Sequence, residues 1–276
     1  MSKTPDLSRF GEIEVDPKFL FPYSPKKTGK YANVPYPEYP DPSGSGLAAI
    51  DFLGQFTMSE GRAIGEPIDQ ALAPFQVRAI MALFGHRDPV TNTRYFRSAD
   101  FICPRKNAKT FLAAIIALLF LYSGQEKSNE IMIAATSQKQ ARRTLMLLLG
   151  ILRSSEARFG ELRVQEHIGT ITHIPTNNTV TAVVADAGKI WGSSPGVIIA
   201  DELHSWEGEK GHALWQSLVT GQGARRNPLC ITTTTVPEKP SAADSVFSER
   251  LRYSLDVMKG ERKDARHLPM VWLTNQ

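Results

Sequence analysis

The chain has 276 residues, 42% hydrophobic and 22% charged, which is enough apolar material for one large core or two small ones and sets a globular α/β domain as the default. Its formal net charge of +4 permits an acidic partner without demanding one. The two cysteines, Cys103 and Cys230, lie far apart without metal-ligand spacing, which argues against a disulfide framework or a zinc site and fits a reducing compartment.

Residues 1–46 are rich in proline and tyrosine and lack helical or strand periodicity, so they read as an extended N-terminal arm preceding one domain over 47–276. In "APFQVRAIMALFG", Phe75, Ala79, Ile80 and Leu83 share a helical face, with Gly85 placed to cap the C-terminus. Strand-like and helix-like segments then alternate: "ADFIC", a helix from Ala108 to Ser123, "EIMIAAT", a helix from Ser137 to about Ser155, "GVIIAD", a helix near His212 to Val219, "LCITTTT", and a helix from Ala242 to Met258. Such alternation predicts a mostly parallel central sheet flanked by helices. "GTITHIPTNNTVTAVVA" adds a β-hairpin insertion turning on Pro175 to Asn178. The longest apolar run, Phe111 to Tyr122, is too short to span a bilayer, and no basic-then-apolar leader opens the sequence. The expectation is a soluble cytoplasmic protein with no membrane partner.

"FICPRKNAKTFLAA" joins a strand to a helix through a basic loop. It has the outline of the phosphate-binding string G-x-x-x-x-G-K-[ST], with Cys103 and Ala108 where glycines are usual. Backbone N–H groups and the positive end of the helix would surround phosphates there. Lys109 would reach the β- and γ-phosphates, and Thr110 would place its hydroxyl on Mg²⁺. Ala108 is expected to keep helical φ/ψ, which restricts the turn without forbidding it.

"GVIIADELH" is a buried-type strand ending in two acids, Asp201 and Glu202, and ligands of parallel sheets bind at the carboxyl ends of strands. Asp201 would hold Mg²⁺ through water, and Glu202 would orient and deprotonate an attacking water. One strand-helix unit, "EIMIAATSQKQARRTLMLLLG", lies between the two motifs. That spacing points to a P-loop NTPase of the additional-strand, catalytic-glutamate type, in which an extra strand separates loop strand from acidic strand. "LCITTTT" follows, and Thr232, Thr233 and Thr234 stand where motor ATPases place the segment that couples γ-phosphate loss to motion.

With these strings in place, the chain resembles the large terminase subunit of tailed bacteriophages. Pro104, Arg105, Lys106, Asn107, Ala108, Lys109 and Thr110 match the loop P-R-K-N-[GA]-K-[ST] of one branch of that family. "RYFRSADFICPRKNAKT", "IAATSQKQA", "GSSPGVIIADELH" and "ITTTT" keep the family's order, and the likeness runs from "APFQ" through "LPMVWLTNQ". The resemblance implies an ATPase using ATP and Mg²⁺ to drive double-stranded DNA into a procapsid. It implies a homo-oligomeric ring, the portal protein and the small terminase subunit as partners, and a place in the host cytoplasm and transiently at the portal.

The resemblance further makes Gln76, with Phe75, the upstream glutamine that contacts adenine, and Arg105 a sensor or stabiliser of the γ-phosphate within the same subunit. Many relatives carry a trans-acting arginine before the glycine matching Gly192; here Trp191 stands there, and Lys189, Arg225 and Arg226 remain open as substitutes. In "SQKQARR", Ser137 would cap a helix carrying Lys139, Arg142 and Arg143 toward DNA phosphates. Large terminase subunits continue into an RNase H-like nuclease domain, whereas this sequence stops at Gln276, so the expectation is an ATPase-domain fragment or a separately encoded motor subunit without nuclease.

Two other readings compete. "DELH" and "TTTT" also resemble helicase elements, but the 75 residues after Asp201 cannot hold a second RecA-like domain. A nucleotide-free scaffold bridging DNA and portal would explain the missing glycines but not Glu202 beside Asp201.

Overall fold

The computed structural model describes residues 41, 43–88, 90–124, 127–184, 192–237 and 241–271. Most of the expected N-terminal arm, Lys189, Trp191 and the sequence from Trp272 onward lie outside these residues. The arm's boundary moves: a helix, α1, already runs over Ser45–Leu53.

Three short helices lead into the sheet: α1, α2 (Ile68–Ala71) and α3 (Pro74–Ile80). Gly85 does not cap α3. The helix widens into a π-turn, Met81–Gly85, and stops at His86, whose N–H donates to Met81 O at 3.2 Å. A Cβ at Gly85 would sit 3.1 Å from Asp41 Cβ, so a larger residue there would need Asp41 to give way slightly.

The remaining elements are β1 (Ser98–Ile102), α4 (Lys109–Tyr122), β2 (Glu130–Ala135), α5 (Gln138–Arg153), α6 (Glu156–Phe159), β3 (Leu162–Gln165), β4 (Thr170–His173), β5 (Asn178–Val184), β6 (Val197–Asp201), α7 (Gly208–Gly221), β7 (Leu229–Thr234), α8 (Val246–Lys259) and β8 (His267–Val271). The strands form one open sheet in the order β3-β4-β5-β2-β6-β7-β1-β8. All pairs are parallel except β3 with β4 and β4 with β5.

The expected hairpin is β4-β5, and it extends the main sheet, since β5 pairs in parallel with β2. Strand β3 escapes sequence reading because "LRVQ" is short and partly exposed. The additional strand is present, but it is not β2. Although β2 lies between the two motifs in sequence, it pairs on the far side of β6, and β7 separates β6 from the loop strand β1. Linear spacing counts crossovers; it does not say on which side of the sheet each strand is added.

Helix α4 is apolar all round, and every residue from Phe111 to Leu121 is buried. It lies between the sheet and α5 and α1, with Phe101, Ile133, Ile199 and Ile231 beneath. The opposite sheet face, carrying Ile102, Ile198 and Ala200, is covered by Trp206, α7 and α8. Register brings Asp201 level with Thr233, and Ile102 level with Thr234, so β6, β7 and β1 end together at one edge.

Candidate active site

Past β1, the Cys103 N–H still donates to Thr234 O at 3.1 Å, and Pro104, which has no N–H, ends the ladder. The loop turns at exposed Arg105 and Lys106 and enters α4 through Ala108. Lys106 (φ 65) and Ala108 (φ 51, ψ 35) are both left-handed. Ala108 therefore takes the backbone a glycine would take, not the helical φ/ψ expected of it, at a cost of roughly 1–2 kcal/mol. The loop is braced from inside. Asn107 is buried and its Nδ2 donates to Pro104 O (2.8 Å) and Arg105 O (3.2 Å). Lys109, 7% exposed, donates Nζ to Cys103 O (3.2 Å) and Pro104 O (3.1 Å), so the loop curls around an ammonium group. Thr110 is half-buried in the first turn of α4. Burial pushes the Cys103 thiol up to about 12; Lys109 pulls it down and Glu202 adds to the rise. The thiol is thus an inert filler, and it feels both the loop lysine and the acidic turn.

Asp201 ends β6 at 2% exposure. Its Oδ2 accepts from Thr144 Oγ1 on α5 (2.8 Å), and its Oδ1 accepts from Thr233 Oγ1 on β7 (2.6 Å) and from the Glu202 N–H (3.0 Å). Every donor is neutral. Burial raises the carboxyl's pKa, opposed by the two hydroxyls and reinforced by Glu202. A cation placed there would relieve that cost.

Glu202 is left-handed (φ 51, ψ 47), and the turn around it is clamped. Ser205 Oγ donates to Glu202 O (2.8 Å), Thr136 Oγ1 meets Ser205 Oγ (3.0 Å), and buried Trp206 donates Nε1 to Asp201 O (3.1 Å). Gly211 packs on this turn so closely that a Cβ would come within 2.5 Å of the Trp206 backbone. Glu202 Oε2 lies 3.2 Å from His204 Nδ1, at ion-pair distance but off the line of a good hydrogen bond. His204 is the main influence holding the Glu202 carboxyl below the usual range; burial opposes it, while Lys109 and Arg105 reinforce it. Glu202 is therefore ionised at neutral pH and faces the charges of the loop.

Among these threonines, two touch the site, from opposite faces of the end of β7. Thr233 donates to Asp201, and Thr234 Oγ1 accepts from the His204 N–H (3.0 Å). Thr232 is placed elsewhere: it donates to Asp100 on β1 (2.8 Å) in a buried network with Arg250, Ser254 and His267. Alternation along a strand puts Thr232 and Thr234 on the face opposite Thr233. Thr234 reaches His204 because it ends the strand at the sheet edge, whereas Thr232, two residues back, lies level with Asp100. Sequence reading missed His204 and Thr144; the histidine two residues after Glu202 in "DELH" was the available signal.

Gln76 is 3% exposed, and its Oε1 accepts from the Ala73 N–H at 2.9 Å, bracing the start of α3. Ser137 caps α5 as expected, accepting from the Gln140 N–H, and Lys139, Arg142 and Arg143 are exposed on that helix. Arg225 binds Ser194 O (2.5 Å) and Glu130 (3.4 Å) near the amino-terminal end of β2, with Arg226 exposed beside it. Among the described residues no group of three or more His, Cys, Asp or Glu side chains could hold a metal alone. The donor set of Thr110 and Asp201 fits Mg²⁺, which keeps few protein ligands and takes its other oxygens from water and phosphates.

A family model described as terminase large subunit, ATPase domain, matches residues 74–253. Among solved structures, the large terminase of HK97 bacteriophage is similar at 24% identity and a TM-score of 0.66, over 82% of this chain and 43% of that one. The large terminase of the thermophilic bacteriophage D6E is similar at 15% identity and a TM-score of 0.48, over 73% of this chain and 44% of that one. A D6E structure in complex with ADP matches at 15% identity and a TM-score of 0.45, over 68% of this chain and 42% of that one. The chain spans less than half the length of these relatives. No curated protein matches significantly.

Proposed function

The chain belongs to the terminase large subunit ATPase family, and from that premise we propose that it is an ATP-hydrolysing motor domain that drives double-stranded DNA into a procapsid. One observation carries the reading. The Lys109 loop and the Asp201-Glu202 turn meet at the ends of β1, β7 and β6, with Glu202 ionised and exposed to the charges of Lys109 and Arg105.

In this reading the backbone of residues 104–110 and the start of α4 cradle the phosphates. Lys109 exchanges its two carbonyl partners for phosphate oxygens, and Arg105, at the exposed tip, meets the γ-phosphate. Thr110 and, through water, Asp201 would hold Mg²⁺, which when bound draws charge from the phosphate oxygens. Glu202 accepts a proton from water as the water oxygen bonds to the γ-phosphorus and the bond to ADP breaks. Thr233 and Thr234 lie against Asp201 and His204, so β7 is the strand positioned to feel the change. Gln76 would reach adenine only by leaving Ala73.

The partners proposed are double-stranded DNA, the portal protein, the small terminase subunit and further copies in a ring, in the host cytoplasm and at the portal. Among the described residues no helix is long and apolar enough to cross a membrane. Lys139, Arg142 and Arg143 are the proposed phosphate contacts. Replacing Arg142 and Arg143 by Ala should lower duplex affinity equally for unrelated sequences and flatten its salt slope, by about 0.9 for each phosphate that is no longer neutralised.

The central test is hydrolysis. Lys109→Ala should abolish nucleotide binding, whereas Glu202→Gln should keep binding and stop turnover, because the base acts only as the bond breaks. A Glu202→Gln protein that turned over ATP at the wild-type rate would remove the assignment.

A further inference from the structure

We infer that His204 is a positioning residue that sets the Glu202 carboxylate for attack and ties it to the end of β7 through Thr234. The inference rests on the proposed ATPase reading and adds a residue and a connection to it. Three contacts converge. The His204 N–H donates to Thr234 Oγ1 at 3.0 Å, His204 Nδ1 lies 3.3 Å from the same oxygen, and Nδ1 lies 3.2 Å from Glu202 Oε2. The Thr234 hydroxyl donates to Thr235 O (3.3 Å), so toward His204 it acts as acceptor.

With its hydrogen on Nδ1, the ring stands between two acceptors, a carboxylate and a hydroxyl, and neither contact has ideal geometry. Donation to Glu202 holds the base; donation to Thr234 releases it. A movement of the β7 end would change which acceptor is better aligned, because hydrogen bonds weaken steeply with misalignment. Glu202 needs such a hold. Its backbone is left-handed, and its side chain is half-buried with Oε2 sealed from solvent. The rest of the turn is already fixed by Ser205, Trp206 and Thr136, leaving the carboxylate as the part that His204 governs.

The test uses the 276-residue chain with ATP, measuring single-turnover hydrolysis beside nucleotide affinity. His204→Ala should lower kcat at least about tenfold, with KM and nucleotide affinity changed less than about twofold. His204→Asn should recover most of the rate, since its amide nitrogen occupies the place of Nδ1. Thr234→Val should lose rate as well, and adding it to His204→Ala should lose little more, as expected of two residues acting through one contact. Retention of kcat in His204→Ala, loss of affinity in step with rate, or no recovery in His204→Asn would each overturn the inference. If instead the wild-type chain hydrolysed no ATP and Glu202→Gln changed nothing, both this inference and the reading beneath it would fall.

Discussion

Two buried aspartates, Asp201 on β6 and Asp100 on β1, sit one strand apart on opposite faces of the sheet. Each accepts a hydroxyl from β7, Thr233 for Asp201 (2.6 Å) and Thr232 for Asp100 (2.8 Å). Their other partners differ in kind. Asp100 receives Arg250 Nη2 at 2.9 and 3.0 Å and Ser254 Oγ at 2.7 Å, while His267 Nε2, 3.5 Å away, bonds to Ser254 Oγ at 2.9 Å. Burial pushes the Asp100 carboxyl up, but Arg250, His267 and Ser254 outweigh it and hold it below the usual range. Asp201 has hydroxyls and an amide alone, and its pKa is raised. One carboxylate is neutralised by its own chain; the other has only neutral donors, which suits the Mg²⁺ role proposed for it. Under that proposed role, burial with neutral donors alone is what separates the ligand site from the structural ion pair.

The largest effect should come from exchanging charge for shape at both positions. Asp201→Asn should cut ATP hydrolysis by roughly 10²-fold or more while leaving thermal stability equal or higher, since it removes a buried charge that the apo fold does not pair. Asp100→Asn should do the reverse, lowering stability while the surviving folded protein keeps its nucleotide affinity. Calorimetry beside an ATPase assay separates the two, and a destabilised, active Asp201→Asn protein would collapse the contrast.

Next in size is the cation. Arg250 lies over Tyr253 (4.9 Å) and Trp215 (5.7 Å) and is the charged donor closest to Asp100. Arg250→Ala leaves Asp100 buried beside a neutral-leaning histidine and should cost about 3–5 kcal/mol, measured as a shift in the urea midpoint at unchanged slope. A loss below about 1 kcal/mol would mean that His267 and Ser254 suffice.

Much of this was legible before any coordinates. Asp201 and Glu202 announced themselves because an apolar run must be a buried strand, and two acids at its end need a reason. The loop was legible from Lys109 and Thr110, and the Ser137 cap from its position before a periodic helix. Asp100, Arg250 and His267 were not, because their partners come from β1, α8 and β8, and no local pattern marks a contact across 150 residues. Thr232 was assigned with its neighbours since a run of four threonines reads alike on both faces; only pairing shows which face each one takes. Ala108 was assigned by residue type, whereas the loop's closure around Lys109 fixes its φ.

Consecutive threonines offer a finer probe. Thr233→Val should slow hydrolysis, because Asp201 loses a donor, and Thr232→Val should leave the rate within about twofold while costing roughly 1.5–3 kcal/mol for a hydrogen bond to a charged group. Equal effects of the two on rate would show that β7 transmits from both faces.

The smallest effect expected is in the pH dependence of stability. The Asp100 pKa is depressed on folding, so its contribution is present above the ordinary aspartate value, near 4, and is lost as pH falls through the lower folded value. His267 is held below its ordinary 6.5, by burial first and then by Arg250, with Asp100 and Asp264 opposing. Its unfolded form therefore binds protons first, and it removes stability as pH falls from about 6.5 toward its folded value. Cys230, also beside Arg250 and Asp100, is pushed up to about 12 by burial and does not titrate in this range. The stability gap between wild type and Asp100→Asn, measured by urea unfolding, should thus hold or widen between pH 7 and 5, because His267 loses the upward pull of Asp100 in the variant, and should narrow only below about 4. A gap that failed to narrow below about pH 4 would show that Asp100 folds with an ordinary or raised pKa, and the difference from Asp201 would then be one of degree, not of kind.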